Sequence, residues 1–296
     1  MSTPSSAADV AQPPRFGFTD DELAMLPTVY APGLFAGQRV LVSGAGSGIG
    51  RAIAFLYARL GARLLICGRK AEALEATAAW LRRLGSPEVL VQPASIRDPE
   101  AVSALMDLVW QRFGGLDVLV NNAGGQFPKP ALELSRNGFN AVVDTNLNGT
   151  WNMMQAAAHR WVGSGTPGCV VNVVIVLDRG NPGIAHSAAA RGGVVALSRT
   201  LALEWAPHRI RINCVAPGTI ESNGFNNYRP EDAARFRYSN PMLRNGDVQD
   251  IAEGVVYLSA PSGKFITGEV LRIDGGGTLW GEAWTAGKPD YFKVPE

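Results

Sequence analysis

The stretch from residue 40 to residue 60 constrains the fold of this chain more than any other. It opens with the apolar run Val40–Val42, which indicates a buried parallel strand. Four glycines follow between positions 44 and 50, and apolar residues then recur at helical spacing, at Ile53, Leu56, Tyr57 and Leu60. A strand, a glycine turn and a helix N-terminus can cradle a pyrophosphate, because glycines let the backbone approach and the helix presents free N–H groups. The stretch therefore predicts a nucleotide site, with a purely structural turn as the alternative.

Strand and helix signals alternate along the rest of the chain. The further predicted strands are Leu64–Cys67, Val89–Val91, Leu116–Val120, Cys169–Val176, Ile210–Val215 and Val270–Ile273. Helical stripes stand between them, and the longest predicted helix runs from about Ser187 to Trp205. This alternation predicts a single α/β, Rossmann-like domain, with a seven-stranded parallel sheet and helices on both faces.

Segment boundaries follow from composition and pattern. Residues 1–35 are a predicted flexible N-terminal arm, in which residues 1–14 are rich in Ser, Ala and Pro. From residue 16 to residue 36 aromatic residues alternate with Pro27 and Pro32, and we expect this part of the arm to lie on the domain. Residues 36–277 form the predicted catalytic domain, and residues 278–296 a C-terminal tail. Within the domain, residues 217–241 are the one long irregular connection, rich in Asn, Tyr, Phe and Arg. Long loops in compact domains are usually lids or binding loops, so we expect this loop to contact the substrate.

Composition narrows the classes of function. The 296 residues carry a net charge of +1, which gives no sign of a nucleic-acid or membrane partner. The three cysteines lack C-x-x-C spacing and the three histidines lack metal-ligand spacing, so we expect buried thiols and no metal site. No apolar stretch reaches the roughly 18 residues of a membrane span, and the N-terminus lacks a signal-peptide pattern. These features favour a cytoplasmic protein that acts on a small molecule.

Five motifs, in order, resemble those of the short-chain dehydrogenase/reductase family from about residue 36 to residue 277. They are Ser43-Gly44-x3-Gly48-Ile49-Gly50, Asn121-Asn122-Ala123-Gly124, Asn146 in an Asp-Thr-Asn-Leu-Asn-Gly run, Pro217-Gly218-Thr219-Ile220 and Asp274-Gly275-Gly276. The resemblance implies the fold predicted above and a nicotinamide cofactor. It implies cofactor contacts at Gly44, Ser47, Gly48, Ile49, Gly50, Ser95, Ile96, Asn122, Ala123, Gly124, Pro217, Gly218 and Ile220. It also makes Asn146 an active-site residue, which could hold a local helix kink and a water chain.

The residues after the second strand indicate which nicotinamide cofactor fits. An NAD site favours an Asp or Glu there, which bonds the ribose 2′-hydroxyl, but here the basic pair Arg69-Lys70 follows, with no acid before Glu72. Arg69 could hold a 2′-phosphate through paired N–H donors, and Arg51 adds a second cation. We therefore predict NADPH, and the alternative is that these residues are solvated surface charges.

The catalytic motif of the family is altered in this chain. Family members carry Y-x-x-x-K on the helix after the fifth strand, where a Tyr of lowered pKa protonates the alkoxide formed from a ketone. The two positions here hold Ser187 and Arg191. Serine is a far weaker acid, and Arg keeps its proton near neutral pH, although it can still bond the nicotinamide ribose. Reduction of a polarised C=C bond needs donors at the developing enolate oxygen rather than a strong acid, and Ser187, His186 and backbone N–H groups could supply them. Arg191 would place positive charge where the enolate develops, and water can protonate the α-carbon later.

Two shorter stretches narrow the resemblance within the family. His186-Ser187-Ala-Ala-Ala-Arg191 and Gly125-Gln126-Phe127 resemble the peroxisomal trans-2-enoyl-CoA reductases and the related 2,4-dienoyl-CoA reductases. The resemblance implies NADPH-dependent reduction of an enoyl-CoA thioester by a homotetramer, in which the long predicted helix packs against its copy. Two alternatives remain. One is a ketoreductase or alcohol dehydrogenase with an atypical site, in which Tyr228, His186 or water gives the proton; the other is a non-catalytic NADP-binding protein.

Overall fold

The computed structural model describes residues 16–280 of the chain. Its strands are Arg39–Ser43 (β1), Arg63–Gly68 (β2), Val89–Pro93 (β3), Val118–Asn121 (β4), Gly168–Val173 (β5), Ile210–Pro217 (β6), Ile220–Glu221 (β7), Gly246–Asp247 (β8) and Val270–Ile273 (β9). Seven of them form one parallel sheet in the order β3-β2-β1-β4-β5-β6-β9. The predicted α/β architecture is confirmed, although β4 begins at Val118 rather than Leu116 and β5 ends at Val173 rather than Val176.

Helices cover both faces of this sheet. They are Asp20–Met25 (α1), Gly48–Arg59 (α2), Ala71–Arg83 (α3), Pro99–Phe113 (α4), Arg136–Val143 (α5), Gly149–Ser164 (α6), Ala185–Glu204 (α7), Pro230–Arg235 (α8) and Val248–Ser259 (α9). A five-residue π-helix, Asp144–Asn148, joins α5 to α6. Helices α2, α3 and α9 enclose one buried cluster with the sheet, while α4, α6 and the end of α7 enclose another on the opposite face. None of the helices between residues 16 and 280 is long and apolar enough to cross a bilayer.

The core explains several sequence patterns. Val40, Leu41 and Val42 have no exposed surface, because β1 lies inside a sheet covered on both faces. The three cysteines are buried and free, as predicted. Leu201 belongs to an intrachain cluster against which Leu197 and Trp205 pack, so that stripe of α7 already has its partners within the chain. The homotetramer stays a prediction.

The described part of the N-terminal arm packs on the domain. Its α1 helix starts with a capping box, in which Thr19 and Glu22 satisfy each other's backbone N–H groups. Leu23 is 5% exposed, and the Tyr30 hydroxyl donates to the Glu253 carbonyl at 2.8 Å. Residues 16–35 thus pack on the domain, and the flexibility of the arm over residues 1–35 stays a prediction. Residues 1–15 lie outside the described range.

The end of the domain also differs from the predicted boundary at residue 278. A 3-10 turn, Gly277–Leu279, follows β9, and the Thr278 N–H donates to the Asp274 carboxylate at 2.8 Å. The domain therefore continues through this turn, because the Asp274 side chain ties it to the end of the last strand. The remainder of the predicted tail, residues 281–296, lies outside the described range.

The connection over residues 217–241 is more regular than its sequence suggested. Strand β7 pairs with β8, and α8 stands between two 3-10 helices, Asn223–Asn227 and Phe236–Ser239. The aromatic residues of this segment pack on one another, since the Phe225 ring contacts the Phe236 ring edge-on at a centroid distance of 5.1 Å. The expectation of an irregular loop is therefore wrong: the segment has a small aromatic core and its own short elements.

Candidate active site

The carboxyl ends of β1 and β4 meet where the strand order of the sheet reverses. Strand β1 lies between β2 and β4, so the crossover connections leave it in opposite directions and open a crevice there. The glycine turn follows β1, and residues 122–125 follow β4. Both predicted cofactor-binding segments therefore border the same crevice.

Glycines shape the turn between β1 and α2. Gly44 and Gly48 have φ angles of 69° and 54°, left-handed values that disfavour residues with a Cβ. A Cβ at Gly50 would overlap the Nδ2 atom of Asn122 and the carbonyl oxygen of Gly44. Helix α2 can therefore begin directly against the β4 loop. Its N-cap residue, Ser47, makes no side-chain capping bond, which leaves a helix N-terminus of the kind that binds phosphate groups.

Asn122 holds this turn in place through its side chain. Its Nδ2 atom donates to the carbonyl oxygens of Ser43 and Gly44 at 3.1 and 3.2 Å. In return, the Ser43 hydroxyl accepts the N–H groups of Asn122 and Ala123 at 3.1 and 3.0 Å. The side-chain amide of Asn122 thus fixes the glycine turn, and the predicted cofactor contact of Asn122 stays a prediction.

One cavity of about 310 Å³ is lined by seven of the fifteen residues predicted to contact the cofactor. Its lining includes Gly44, Ser47, Arg69, Ser95, Ile96, Ala123 and Gly124. The charged residues that line it are all cations, namely Arg69, Lys70 and Arg97, and no Asp or Glu lines it among the described residues. This charge pattern suits a ligand with phosphate groups. No sequence motif indicates Arg97, which lies two residues beyond Ser95.

Arg51 does not have the role that its place in the sequence suggested. Its guanidinium forms an ion pair with Asp20 of α1 at 2.6 Å and lies over the Phe55 ring. Arg51 does not line the cavity that contains Arg69. Because the N-terminal arm supplies this carboxylate, which no local pattern could indicate, we no longer expect Arg51 to be a second phosphate cation.

Asn146 lies in the π-helix between α5 and α6 and is 1% exposed. Its Oδ1 atom accepts the N–H of Gly125 and its Nδ2 atom donates to the Gly125 carbonyl, both at 3.0 Å. The structure contains the helix distortion that we expected at this residue. Because both ends of the amide bind one backbone unit, Asn146 fixes the loop after β4 against the α5–α6 segment.

Three predicted site residues share the first turns of α7. His186, Ser187 and Arg191 are 0%, 1% and 6% exposed. The His186 Nδ1 atom accepts the Ser187 N–H at 2.8 Å, so the donor of a neutral imidazole would be at Nε2, which has no hydrogen-bond partner. The ring edge-packs with Phe127 at a centroid distance of 4.6 Å. A buried donor without a partner indicates a place for a ligand acceptor.

Arg191 is a buried cation without a carboxylate partner among the described residues. Its Nη1 atom has no hydrogen-bond partner, and its Nη2 atom lies where a Cβ of Gly124 would be. Burial lowers the pKa of the guanidinium to about 10, from an ordinary value of 12.5, so it still carries its charge at neutral pH. An unpaired buried charge destabilises a fold, and its retention here points to an anionic or strongly polar partner.

Two of the three residues predicted to contact the cofactor at and after the end of β6 border a further cavity. The Gly218 N–H donates to the Ile273 carbonyl at 2.9 Å, and a Cβ at Gly218 would lie 2.6 Å from the Asp274 Cα, so this turn needs glycine. Pro217 and Gly218 line a cavity of about 210 Å³ together with Gln126. Ile220 does not line it but borders a neighbouring cavity behind the turn.

Comparisons with known proteins agree with this geometry. The family model described as Enoyl-(Acyl carrier protein) reductase matches residues 44–278. The chain is 37% identical to the probable 2,4-dienoyl-CoA reductase of Bacillus subtilis over 81% of this chain and 96% of that protein. It is 34% identical to the peroxisomal 2,4-dienoyl-CoA reductase of Mus musculus over 90% of this chain and 92% of the other.

A solved structure gives the same fold. The citronellol catabolism dehydrogenase (AtuB) of Pseudomonas aeruginosa PAO1 superimposes with a TM-score of 0.76 and 37% sequence identity. The match covers 85% of this chain and 99% of the other. Fold, motif order and sequence similarity thus lead to one family.

Proposed function

This chain belongs to the short-chain dehydrogenase/reductase family of oxidoreductases, and from that membership we propose that it reduces the conjugated C=C bond of an enoyl-CoA thioester with NADPH. The observation that carries the proposal is the buried, unpaired Arg191 on α7, one helical turn after Ser187. Relatives named 2,4-dienoyl-CoA reductase support an acyl-CoA substrate. The homotetramer and the cytoplasmic location are further parts of the proposal.

The residues around the switch point fit a dinucleotide. The glycine turn and the N-terminus of α2 would hold the pyrophosphate, and Arg69 with Lys70 would face the adenosine 2′-phosphate. The loop over residues 122–125 and the turn at Pro217-Gly218 would flank the rest of the cofactor. When bound, NADPH would supply the hydride that adds to the β-carbon of the substrate.

Arg191 and His186 are the residues suited to the charge that develops in this reaction. When hydride adds to the β-carbon, the C=C electron pair moves toward the thioester oxygen, which becomes enolate-like. Donors fixed in a buried site stabilise such a charge more than water does, because they need no reorganisation. The Arg191 Nη1 atom and the His186 Nε2 atom are buried donors still without a partner. A proton from water then completes the product at the α-carbon.

Ketone reduction fits these residues less well. An alkoxide must be protonated during hydride transfer, and Ser187 is a poor acid for that step. Tyr228, the candidate donor in the connection after β6, packs its ring edge-on against Phe236 at 5.0 Å. A ketoreductase is therefore the second candidate function, after the C=C reductase. The third candidate is a protein that binds the cofactor without turnover.

A substrate panel separates these functions. The full-length protein is incubated with NADPH and crotonyl-CoA, a longer enoyl-CoA or a set of ketones, and loss of NADPH absorbance is followed. General acids contribute about 10²–10⁴-fold to catalysis, so without one we expect kcat/KM for the best enoyl-CoA to exceed that for the best ketone by about 100-fold. A preference for ketones would replace the proposal, and cofactor binding without turnover on either class would favour the non-catalytic protein.

Arg69→Gln is expected to reduce the preference for NADPH over NADH by about tenfold or more, because a hydrogen bond to a charged group contributes roughly 1.5–3 kcal/mol. The dissociation constants of both cofactors are measured by titration calorimetry. Arg51→Gln is the matched control, since Arg51 is paired with Asp20 and should leave the preference unchanged. Equal affinities of the unmodified protein for NADH and NADPH would contradict the cofactor assignment.

A further inference from the structure

Arg97 is a charged residue of the cofactor cavity that no motif predicted. It follows β3, whose residue Pro93 stands in register with Gly68 of the neighbouring strand β2. The two strands therefore deliver Arg97 and Arg69 to the same edge of the sheet. Both residues line the cavity of about 310 Å³, together with Lys70.

The structure gives Arg97 a weak partner. Its guanidinium lies 3.4 Å from the Asp144 carboxylate, and the two side chains are 48% and 41% exposed. Exposed ion pairs contribute little to stability, because water competes for both charges. Asp144 also accepts a hydrogen bond from Asn148 at 3.0 Å, so it keeps a partner if Arg97 leaves. Arg97 can thus turn toward a stronger anion at little cost.

The charges around Arg97 favour a phosphate in the cavity. The acid nearest to Arg97 in sequence is Asp98, and its carboxylate is already occupied, since it accepts the first N–H groups of α4 as the N-cap. No carboxylate lines the cavity itself in the described part of the chain, and Asp144, the ion-pair partner of Arg97, lies outside its lining. A dianionic group would relieve the mutual repulsion of the three cations that line the cavity.

We propose that Arg97 is a specificity-determining residue, a second guanidinium that leaves Asp144 to bind the adenosine 2′-phosphate together with Arg69. The inference rests on the proposed NADPH dependence and extends it. The preference for NADPH over NADH would then depend on residues that follow two strands, β2 and β3, rather than on the residues after β2 alone. Asp144 would also be a competitor, whose carboxylate weakens phosphate binding by holding Arg97.

Binding of two fragments tests the assignment without any turnover. Titration calorimetry on the full-length protein gives the dissociation constants of 2′,5′-ADP and 5′-AMP, which differ by the 2′-phosphate. In Arg97→Gln we expect 2′,5′-ADP to bind about tenfold more weakly, as for loss of a charge-assisted hydrogen bond, with 5′-AMP within about twofold of its original value. Asp144→Asn should act in the opposite direction and tighten 2′,5′-ADP by about two- to threefold.

Arg112→Gln is the matched control, because Arg112 pairs with Glu88 at 2.9 Å outside the cavity and should leave both fragments unaffected. Thermal melting of each variant checks that it is folded. If Arg97→Gln leaves the ratio of the two affinities unchanged, or weakens both fragments equally, the inference is wrong while the NADPH proposal stands. If the unmodified protein itself binds 2′,5′-ADP no better than 5′-AMP, the proposed NADPH dependence is wrong, whatever the Arg97 variant shows.

Discussion

Arg191→Met is expected to lower kcat for an enoyl-CoA by about 10²–10³-fold, the usual effect of removing one donor from a preorganised oxyanion site. Arg191 is 6% exposed and has an unsatisfied Nη1 atom, so water cannot easily replace it. Met keeps most of the side-chain volume and removes only the charge and the donors. Stopped-flow or steady-state NADPH oxidation gives kcat directly.

Ser187→Ala is the comparison for this variant. Its hydroxyl supplies at most one neutral hydrogen bond, about 0.5–1.5 kcal/mol, so we expect kcat to fall by no more than roughly tenfold. If Ser187→Ala is inactive while Arg191→Met turns over normally, the roles are reversed. In that case Ser187 acts as the acid, and Arg191 is not the group that stabilises the enolate oxygen.

We expect Arg191→Met to be more stable than the unmodified protein, although it is less active. Burial lowers the pKa of Arg191 to about 10, which means that the folded state disfavours the charged form. At every pH below that value the group is charged, and its unpaired charge destabilises the folded protein; the penalty is relieved only as the pH rises through about 10. Met removes it, so the cofactor-free variant should melt a few degrees higher at pH 7, at about 2–4 °C per kcal/mol. A lower melting temperature would mean that Arg191 has partners in the fold.

Elements with regular periodicity could be predicted from the sequence. The apolar run Val40–Val42 and the stripe of α2 specify a strand and a helix that pack on each other, and strand order then places the glycine turn at the switch point. These features depend on residues close in sequence. The predicted boundaries of β4 and β5 differ from the observed ones by a few residues. An apolar residue can flank a strand without taking part in its hydrogen-bond ladder, so the apolar pattern alone does not mark the strand end.

Contacts between distant segments could not be predicted. Arg51 looked like a phosphate cation until Asp20, 31 positions earlier, proved to be its partner. No sequence pattern indicated Arg97, which follows β3 and lines the same cavity as Arg69. In both cases tertiary packing sets the surroundings of the charged side chain. Side-chain amides behave in the same way, since Asn146 binds the Gly125 backbone rather than capping its own helix.

Gly124→Ala is expected to lower kcat by about 10–100-fold without removing any functional group. A Cβ at this position would overlap the Arg191 Nη2 atom and lie 2.9 Å from the Asn146 Oδ1 atom. The Arg191 end is flexible, so it moves while the fold stays intact, and displacement of a catalytic group by about 1 Å can cost on the order of 10²-fold. Gly125→Ala is the matched control, because a Cβ at Gly125 would meet no atom within 4 Å.

The double variant Gly124→Ala/Arg191→Met distinguishes displacement of Arg191 from obstruction of the cofactor. If the new methyl group acts by moving Arg191, it has nothing further to displace once Arg191 is gone, and the double variant should have the kcat of Arg191→Met alone. If the methyl group instead blocks the cavity, the two losses should multiply and the NADPH dissociation constant should rise in both Gly124→Ala proteins. Multiplicative losses of kcat would show that glycine is needed at position 124 to leave room for the cofactor, and not to leave room for the Arg191 guanidinium.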